Sequence, residues 1–464
     1  MRIKQINVKS LFGIFNHEIH LNMDERITII HGPNGIGKTY ILRMLHSLFY
    51  RNYHHFLEYP FKEFKVLFDD ESEVIVNRIE GNKKEGPVLK ISNKKEGKVV
   101  KGNKFQVPYF SRREEFYIRR FIDRQIPSLR RLDDDVWIDE RNKQIMTFFD
   151  ISVRFPDEVA YLSKDLARKG ISKESLTLLN DKWLQTIVEK VIVQFIRAQR
   201  LIITEGDEYI YHRESKSMTD SVVEFYSKDI KGLINDVMRE YNTKSQRLDR
   251  EFPRKLLEGE VNKSIDSSNI LNELKELENR RDKLAEAGLL QEESKSPAIP
   301  YSTYSTIDIK KKEDMLSIYI ENEKEKLSVY NDIFNKIEIF VSILNSTYQY
   351  KNISIEADRG FVLETDSGNE LTVKKLSSGE QHELVLLYQL LFKTHTKMNS
   401  KNKNTLFLID EPEISLHIAW QHKFLDDLKE IIDLIGFDVL IATHSPQIIH
   451  GKNNLMVELL GPKK

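Results

Sequence analysis

The sequence predicts an α/β protein: a mixed sheet with flanking helices, interrupted by a helical insertion that forms a short coiled-coil-like hairpin. Three observations predict it. The β-branched run Arg26-Ile27-Thr28-Ile29-Ile30 leads into a glycine-rich turn and then an apolar helical face, as a buried strand followed by a helix would. Two more apolar runs, Leu406–Ile409 and Val439–Ala442, end on acidic residues and on a histidine. Between them, Ser221 to Leu344 is densely charged, with leucines and isoleucines at helical spacing.

Composition bounds the rest. The 464 residues could make about three domains, or one head with a large insertion. With 71 basic and 72 acidic side chains the net charge is −1, so any surface for nucleic acid must be a local patch. There is no cysteine, which excludes disulfides and thiolate metal sites and fits a reducing compartment. Met1 to Ile6 reads as a strand and not as a signal peptide, and no run approaches the roughly 18 apolar residues of a membrane span. A cytoplasmic protein without a membrane partner is the expectation.

Taken in order, residues 2–9 and Glu18–Leu21 alternate like an antiparallel edge, and Arg26–Ile30 is the buried strand. Tyr40 to Tyr50 carries Ile41, Leu42, Met44, Leu45, Leu48 and Phe49 on one helical face. Short alternating pieces over 63–108 predict a β-meander, with the lysine-rich 94–104 as a solvated hairpin tip. Residues 112–190 read as mainly helical, and Val191–Ile196 as another buried strand. The charged stretch predicts two arms, to Ala287 and from Asp308, around a breaker at Ser294–Thr306, each at most ~60 Å long. Strand-like alternation returns at 350–373, then a helix, a polar loop at Lys397–Asn404, the Asp410 strand, a helix over Glu413–Ile435, a core strand at Val439–Ala442 and an edge strand at Met456–Leu459. The expected domains are an N-terminal lobe at 1–110, a helical insertion at 111–190, a core strand and its loop at 191–219, the hairpin arm at 220–348 and a C-terminal lobe at 349–464.

The chemistry begins at Gly32-Pro33-Asn34-Gly35-Ile36-Gly37-Lys38-Thr39, a complete phosphate-loop pattern between a strand and a helix. Gly32, Gly35 and Gly37 let the backbone curl so that its N–H groups face phosphate, and Asn34 is a further expected binding residue of the same loop. Lys38 offers a point charge to the β and γ phosphates, and Thr39 a hydroxyl to Mg²⁺. Asp410, at the end of a buried strand, is the second expected Mg²⁺ ligand, and Glu411 the group that polarises the attacking water. His444, at the end of the last core strand, is expected to touch the γ phosphate and Glu411. Gln199, just beyond the Val191–Ile196 strand, is a further candidate ligand to Mg²⁺ or water. Ser377 and Gly379 would at minimum cap the helix that follows them. The arginines at 112, 113, 119, 120, 124, 130 and 131, interleaved with aromatics, could meet nucleic acid, but Glu114, Glu115 and Asp123 dilute them and favour a solvated helix face.

Together, Leu376-Ser377-Ser378-Gly379-Glu380, Leu406–Pro412 and Ala442-Thr443-His444-Ser445 resemble the signature, Walker B and histidine-switch elements of an ABC-type ATPase head, with Ser378 and Glu380 departing from the commoner LSGGQ. The wide gap between Lys38 and Ser377 resembles the SMC, RecF and OLD group more than transporter ATPases. The stretches Leu376–Glu383, Leu408–Gln421 and Ala442–Ile449 are similar to the AAA-family, ABC-type ATPases of bacterial phage-defence operons, including PARIS-type and Septu-type subunits. Trp137–Arg141, Arg197–Leu201 and Gln246–Pro253 extend that likeness. The resemblance implies ATP and Mg²⁺ as ligands, a homodimer or higher oligomer sandwiching ATP between heads, and Ser377 and Gly379 reaching the partner copy's γ phosphate. An OLD nuclease continues past its histidine into a TOPRIM domain, whereas this sequence runs 20 residues beyond His444. The implied partners are therefore a separately encoded TOPRIM- or HNH-like nuclease or toxin, and a phage-encoded trigger. A RecF- or Rad50-like repair ATPase that clamps DNA is the alternative, and a transporter subunit a weaker one.

Overall fold

The computed structural model describes residues 1–50, 53, 55–79, 88–95, 98–105, 112–133, 136–139, 141, 144–147, 151, 154–155, 158, 161–162, 164, 182–188, 190–199, 201, 222–258, 269–290, 312–393, 404–414, 416 and 418–461. The chain divides into two compact units, Met1–Asp220 with Lys393–Lys464, and Ser221–Phe392.

The first unit opens with β1 (Ile3–Leu11) and β2 (Phe15–His20), then β3 (Ile27–His31) and helix α1 (Lys38–Phe49). After the short α2 (His55–Glu58) come β4 (Glu63–Phe68), β5 (Ser72–Ile79), β6 (Val88–Lys95) and β7 (Lys98–Phe105). These build a six-stranded antiparallel sheet in the order β2-β1-β4-β5-β6-β7. The meander is therefore present, but the lysine-rich segment is not merely a tip. Residues 98–105 pair with β6, with Lys95 opposite Lys98 at the turn.

Helix α3 (Arg112–Gln125) is followed by β8 (Leu129–Asp133), β9 (Val136–Asp139) and β10 (Gln144–Thr147), a small antiparallel sheet where helix was expected. The packing explains it. Trp137 and its cross-strand partner Met146 join Ile118, Ile122 and Ile126 of α3 in a separate apolar cluster. Helical spacing in α3 dominated the reading of a region whose strands are only four or five residues long. The arginine cluster is partly internal: Arg131 is buried and paired with Asp123 at 3.1 Å, and Asp123 also accepts from Trp137 Nε1 at 2.8 Å.

Helix α4 (Lys182–Val188) leads to β11 (Val191–Ile196). The second unit contains α5 (Val222–Glu258), α6 (Ile270–Glu286), α7 (Glu313–Leu327) and α8 (Asn331–Thr347), then β12 (Lys351–Glu356), β13 (Gly360–Thr365), β14 (Glu370–Leu371) and α9 (Ser378–Phe392). The expected hairpin arm is made by α5 and α6 packing against α7, which passes to α8 through a 3₁₀ turn at Ser328–Tyr330. The breaker expected at Ser294–Thr306 lies outside the described residues. At 37 residues, α5 is about 55 Å long. Its base packs on an aromatic core in which Tyr388 of α9 stacks on Tyr226 and meets Phe340 and Phe361 edge-on.

Back in the first unit, β15 (Asn404–Asp410), α10 (Ile418–Ile435), β16 (Asp438–Thr443), α11 (Pro446–Ile449) and β17 (Met456–Glu458) complete a five-stranded sheet, β11-β15-β16-β3-β17, parallel throughout. The strands of the expected α/β head thus form two sheets, one antiparallel and one parallel. They share one core: Ile41, Leu42, Met44, Leu45 and Leu48 of α1 pack with Ile6, Val8, Phe64 and Val66 of the antiparallel sheet and with Leu406, Leu408, Leu440 and Ala442 of the parallel one. The central strands β3, β15 and β16 bury both faces, which explains their continuous apolar runs. Arg2 adds a bidentate pair to Asp438 at the start of β16, at 2.8 and 2.5 Å.

Candidate functional site

Parallel pairing aligns the ends of three strands. Ile30 lies opposite Ala442, and Ala442 opposite Asp410, so the turns that leave β3, β16 and β15 emerge at one sheet edge. In open parallel sheets this carboxyl edge is where ligands bind. The turn after β3 carries residues 32–37 and opens α1. Gly37 sits at φ 104°, and a Cβ there would collide with Leu11. A Cβ on Gly32 would stand 2.8 Å from the Leu459 carbonyl oxygen. Asn34 and Gly35 are exposed at the loop's tip.

Lys38, the first residue of α1, is buried, and its Nζ donates to the Gly32 carbonyl at 2.8 Å and to that of Pro33 at 3.3 Å. Burial lowers its pKa, against the opposing pull of Glu411, Asp410 and Glu413. Thr39 Oγ1 donates to Asp410 Oδ1 at 2.9 Å. Burial raises the Asp410 pKa, and the Thr39 hydroxyl partly offsets this.

His444 Nε2 stands 2.8 Å from Lys38 Nζ and 3.1 Å from Glu411 Oε1, so its tautomer decides which neighbour it serves. Burial and the Lys38 charge both lower the His444 pKa, favouring neutral imidazole. Glu411 occupies left-handed backbone at φ 44°, with its N–H donating to the Ala442 carbonyl at 2.8 Å. Burial raises its carboxyl pKa, and the adjacent Glu413 carboxyl raises it further. Glu413 moves the other way: burial opposes its charge, but donors from Glu411, Thr443 and the local backbone outweigh that.

The structure therefore brings Lys38, Thr39, Asp410, Glu411 and His444 into contact. Gln199 is exposed three residues past β11, whose Ile196 lies opposite Ile409, so it is adjacent by register. Ser377 and Gly379 belong to the second unit. There Ser377 is exposed and caps α9 in a reciprocal box: its N–H donates to Glu380 Oε2 at 2.7 Å, and its Oγ accepts from the Glu380 N–H at 3.4 Å. Lys351 also donates to Glu380 at 2.9 Å. Burial would raise the Glu380 pKa, but Lys351 and Ser377 hold it lower.

Sequence reasoning gave no role to three residues that shape this edge. Glu413 accepts three hydrogen bonds from the turn after β16. Gln421 of α10 donates to the Leu416 carbonyl at 3.0 Å and accepts from Ser445 Oγ at 3.0 Å. Buried His17 of β2 donates from Nε2 to the Ile36 carbonyl at 2.9 Å, holding the glycine-rich loop from behind. The acidic Glu411-Pro412-Glu413 string was the one available signal; nothing in sequence marks His17.

The oxygen donors of Thr39 and Asp410, 2.9 Å apart beside a buried lysine, suit a hard cation such as Mg²⁺ bound with phosphate. A protein-family model described as an AAA ATPase domain matches residues 1–449. No curated protein matches the chain. Among solved structures it is similar to the Smc head domain with an extended coiled coil bound to the C-terminal domain of ScpA, derived from Pyrococcus furiosus, at 13% identity and TM-score 0.35, covering 100% of this chain and 94% of that one. It is also similar to the SmcHead bound to the C-winged helix domain of ScpA, at 10% and 0.34, covering 100% and 95%. A third is the SMC head domain from Thermotoga maritima, at 10% and 0.30, covering 97% and 91%. Likenesses this distant carry no chemistry from one protein to the other.

Proposed function

The chain belongs to the AAA ATPase domain family, and from that premise we propose that it binds ATP with Mg²⁺ at the carboxyl edge of its parallel sheet and hydrolyses it there. One observation carries the reading: Lys38, Thr39, Asp410, Glu411 and His444, from three distant stretches of sequence, meet within hydrogen-bonding distance. The loop N–H groups and Lys38 bind the phosphates, and Thr39 and Asp410 hold the cation, with Gln199 available from the adjoining strand end. The cation, when bound, neutralises charge on the phosphate oxygens. Glu411 orients and polarises the attacking water, and His444 fixes Glu411 while contacting the γ phosphate. The Glu411→Gln variant should bind ATP within about threefold of wild type and hydrolyse it at least ~100-fold more slowly. Unchanged turnover would remove Glu411 from the role of base.

The wider reading comes from the resemblance noted in the sequence. Two heads enclose two ATP molecules, each site completed by Ser377 and Gly379 of the other copy, and the exposed Ser377 at the start of α9 supports it. In that reading the protein is the sensor subunit of an anti-phage defence system, and its ATP cycle controls a separately encoded nuclease or toxin. Cells carrying the chain with its neighbouring gene should lower phage plating by roughly 100-fold or more, and Lys38→Ala should abolish protection. Equal plating with and without the Lys38 variant would sink the defence role while leaving the ATPase reading intact. The buried Arg131–Asp123 pair weakens the arginine cluster as a DNA-binding face. Among the described residues, no helix is long and apolar enough to cross a membrane.

A further inference from the structure

One half-buried carboxylate beside the site has no part in the chemistry above. Glu413 lies three residues past the end of β15, yet a single oxygen of its side chain gathers donors from the end of β16. Oε1 accepts from Thr443 Oγ1 at 2.7 Å, from the His444 N–H at 2.9 Å and from the Ser445 N–H at 3.0 Å. Its other oxygen is buried, and the carboxyl lies within hydrogen-bonding reach of Glu411. Gln421 closes the same junction from α10, with hydrogen bonds to Leu416 on one side and Ser445 on the other.

We propose that Glu413 is a positioning residue: it clamps the turn at 443–445 and thereby sets the His444 ring between Lys38 and Glu411. The proposal rests on the ATP-hydrolysing reading of this site. Its physical basis is that His444 leaves the sheet at Thr443 and Pro446 comes only two residues later, so few ladder hydrogen bonds remain to fix the backbone from which its ring projects. The three bonds to Glu413 replace them. Two are charge-assisted bonds from backbone N–H groups, roughly twice as strong as neutral ones. A ring that must stand 2.8 Å from one group and 3.1 Å from another tolerates little drift, and a misplacement of about 1 Å can cost on the order of 100-fold in rate. The clamp also couples the two strand ends: Glu413 shares its short turn with Glu411, so the residues that would act on water and on the γ phosphate move together.

The test is a kinetic and spectroscopic series on the full chain. Glu413→Ala should lower kcat by about 30- to 100-fold and leave KM for ATP within about twofold. Glu413→Gln, whose amide oxygen can accept the same three bonds, should recover kcat to within about fivefold of wild type. The double variant Glu413→Ala with His444→Ala should be no slower than His444→Ala alone. Independent of turnover, the His444 imidazole resonance, assigned by its loss in His444→Ala, should shift or broaden in Glu413→Ala and return in Glu413→Gln. If Glu413→Ala fails to fold, Thr443→Val withdraws one donor and should lower kcat about threefold to tenfold in the same direction. A Gln variant as impaired as the Ala variant, additive losses in the double variant, or an unmoved resonance would each overturn the clamp. A wild-type protein that never hydrolyses ATP would instead defeat the proposed function, and the resonance would still judge the clamp.

Discussion

Glu411 shows what a single residue contributes at this edge. A non-glycine side chain in left-handed backbone costs roughly 1–2 kcal/mol, and the hydrogen bond to Ala442 and the pairing with His444 hold it there. That strain turns the chain sharply out of β15 and points consecutive carboxylates to different tasks: Asp410 toward Thr39, Glu411 toward His444. The loop opposite is set by His17, whose ring donates to Ile36. Burial lowers the His17 pKa, so the unfolded chain binds its proton more readily. The folded state must therefore lose stability as pH falls below the unfolded value of 6.5, until His17 itself protonates. Denaturant titrations between about pH 7.5 and 5.5 should show wild type losing stability faster than His17→Asn, by up to roughly 1.4 kcal/mol per pH unit. Parallel curves would mean that His17 is not the titrating group. The strings around Lys38, Asp410 and His444 were visible in sequence because each is local, a strand and the turn after it. His17, Glu413 and Gln421 were not, because each acts on a carbonyl or N–H that only the folded chain brings near.

At the scale of elements, strong periodicity was easier to read than short strands. The β4–β7 meander, α1, β11, β15 and β16 were legible because their patterns are clear. The β8–β10 sheet was missed because its strands are only four or five residues long and sit beside a charged helix. The helical arm was legible from its charge and leucine spacing. What secures the arm is polar as well as apolar. Glu323 of α7 is buried with Lys326 at 2.8 Å and with Arg281 of α6, and Lys326 reaches Asp249 of α5 at 2.6 Å. Removing the central carboxylate leaves two cations without their buried partner. Glu323→Ala should destabilise the protein by about 3–5 kcal/mol, measured as a fall in the denaturant midpoint. A loss below about 1 kcal/mol would mean that the network is screened by water and does not fix the register of the three helices.

For the molecule as a whole, the two units divide the proposed labour. The first unit carries the phosphate loop, the carboxylates and the histidine; the second carries Ser377, Gly379 and the arm. If each site needs Ser377 from another copy, ATP must govern assembly. Glu411→Gln with ATP and Mg²⁺ should elute as a species of doubled mass by light scattering, and Ser377→Arg should return it to the monomer. A monomer under both conditions would remove the sandwich from the reading but leave nucleotide binding untouched.

The placing of β3 has a consequence for biosynthesis. Its ladder partners are β16 and β17, which leave the ribosome more than four hundred residues after it. The antiparallel meander can close early on one side of α1, but the helix's opposite flank, with its leucines, stays bare until β15 and β16 have been made. The nascent chain therefore exposes a sticky surface over the more than four hundred residues made between β3 and β16, and its slowest folding step is the late insertion of β16 and β17 on either side of a strand made first. A chain cut short before Asp438 would have no strand on either side of β3, and chaperones or proteases would be the first to find it.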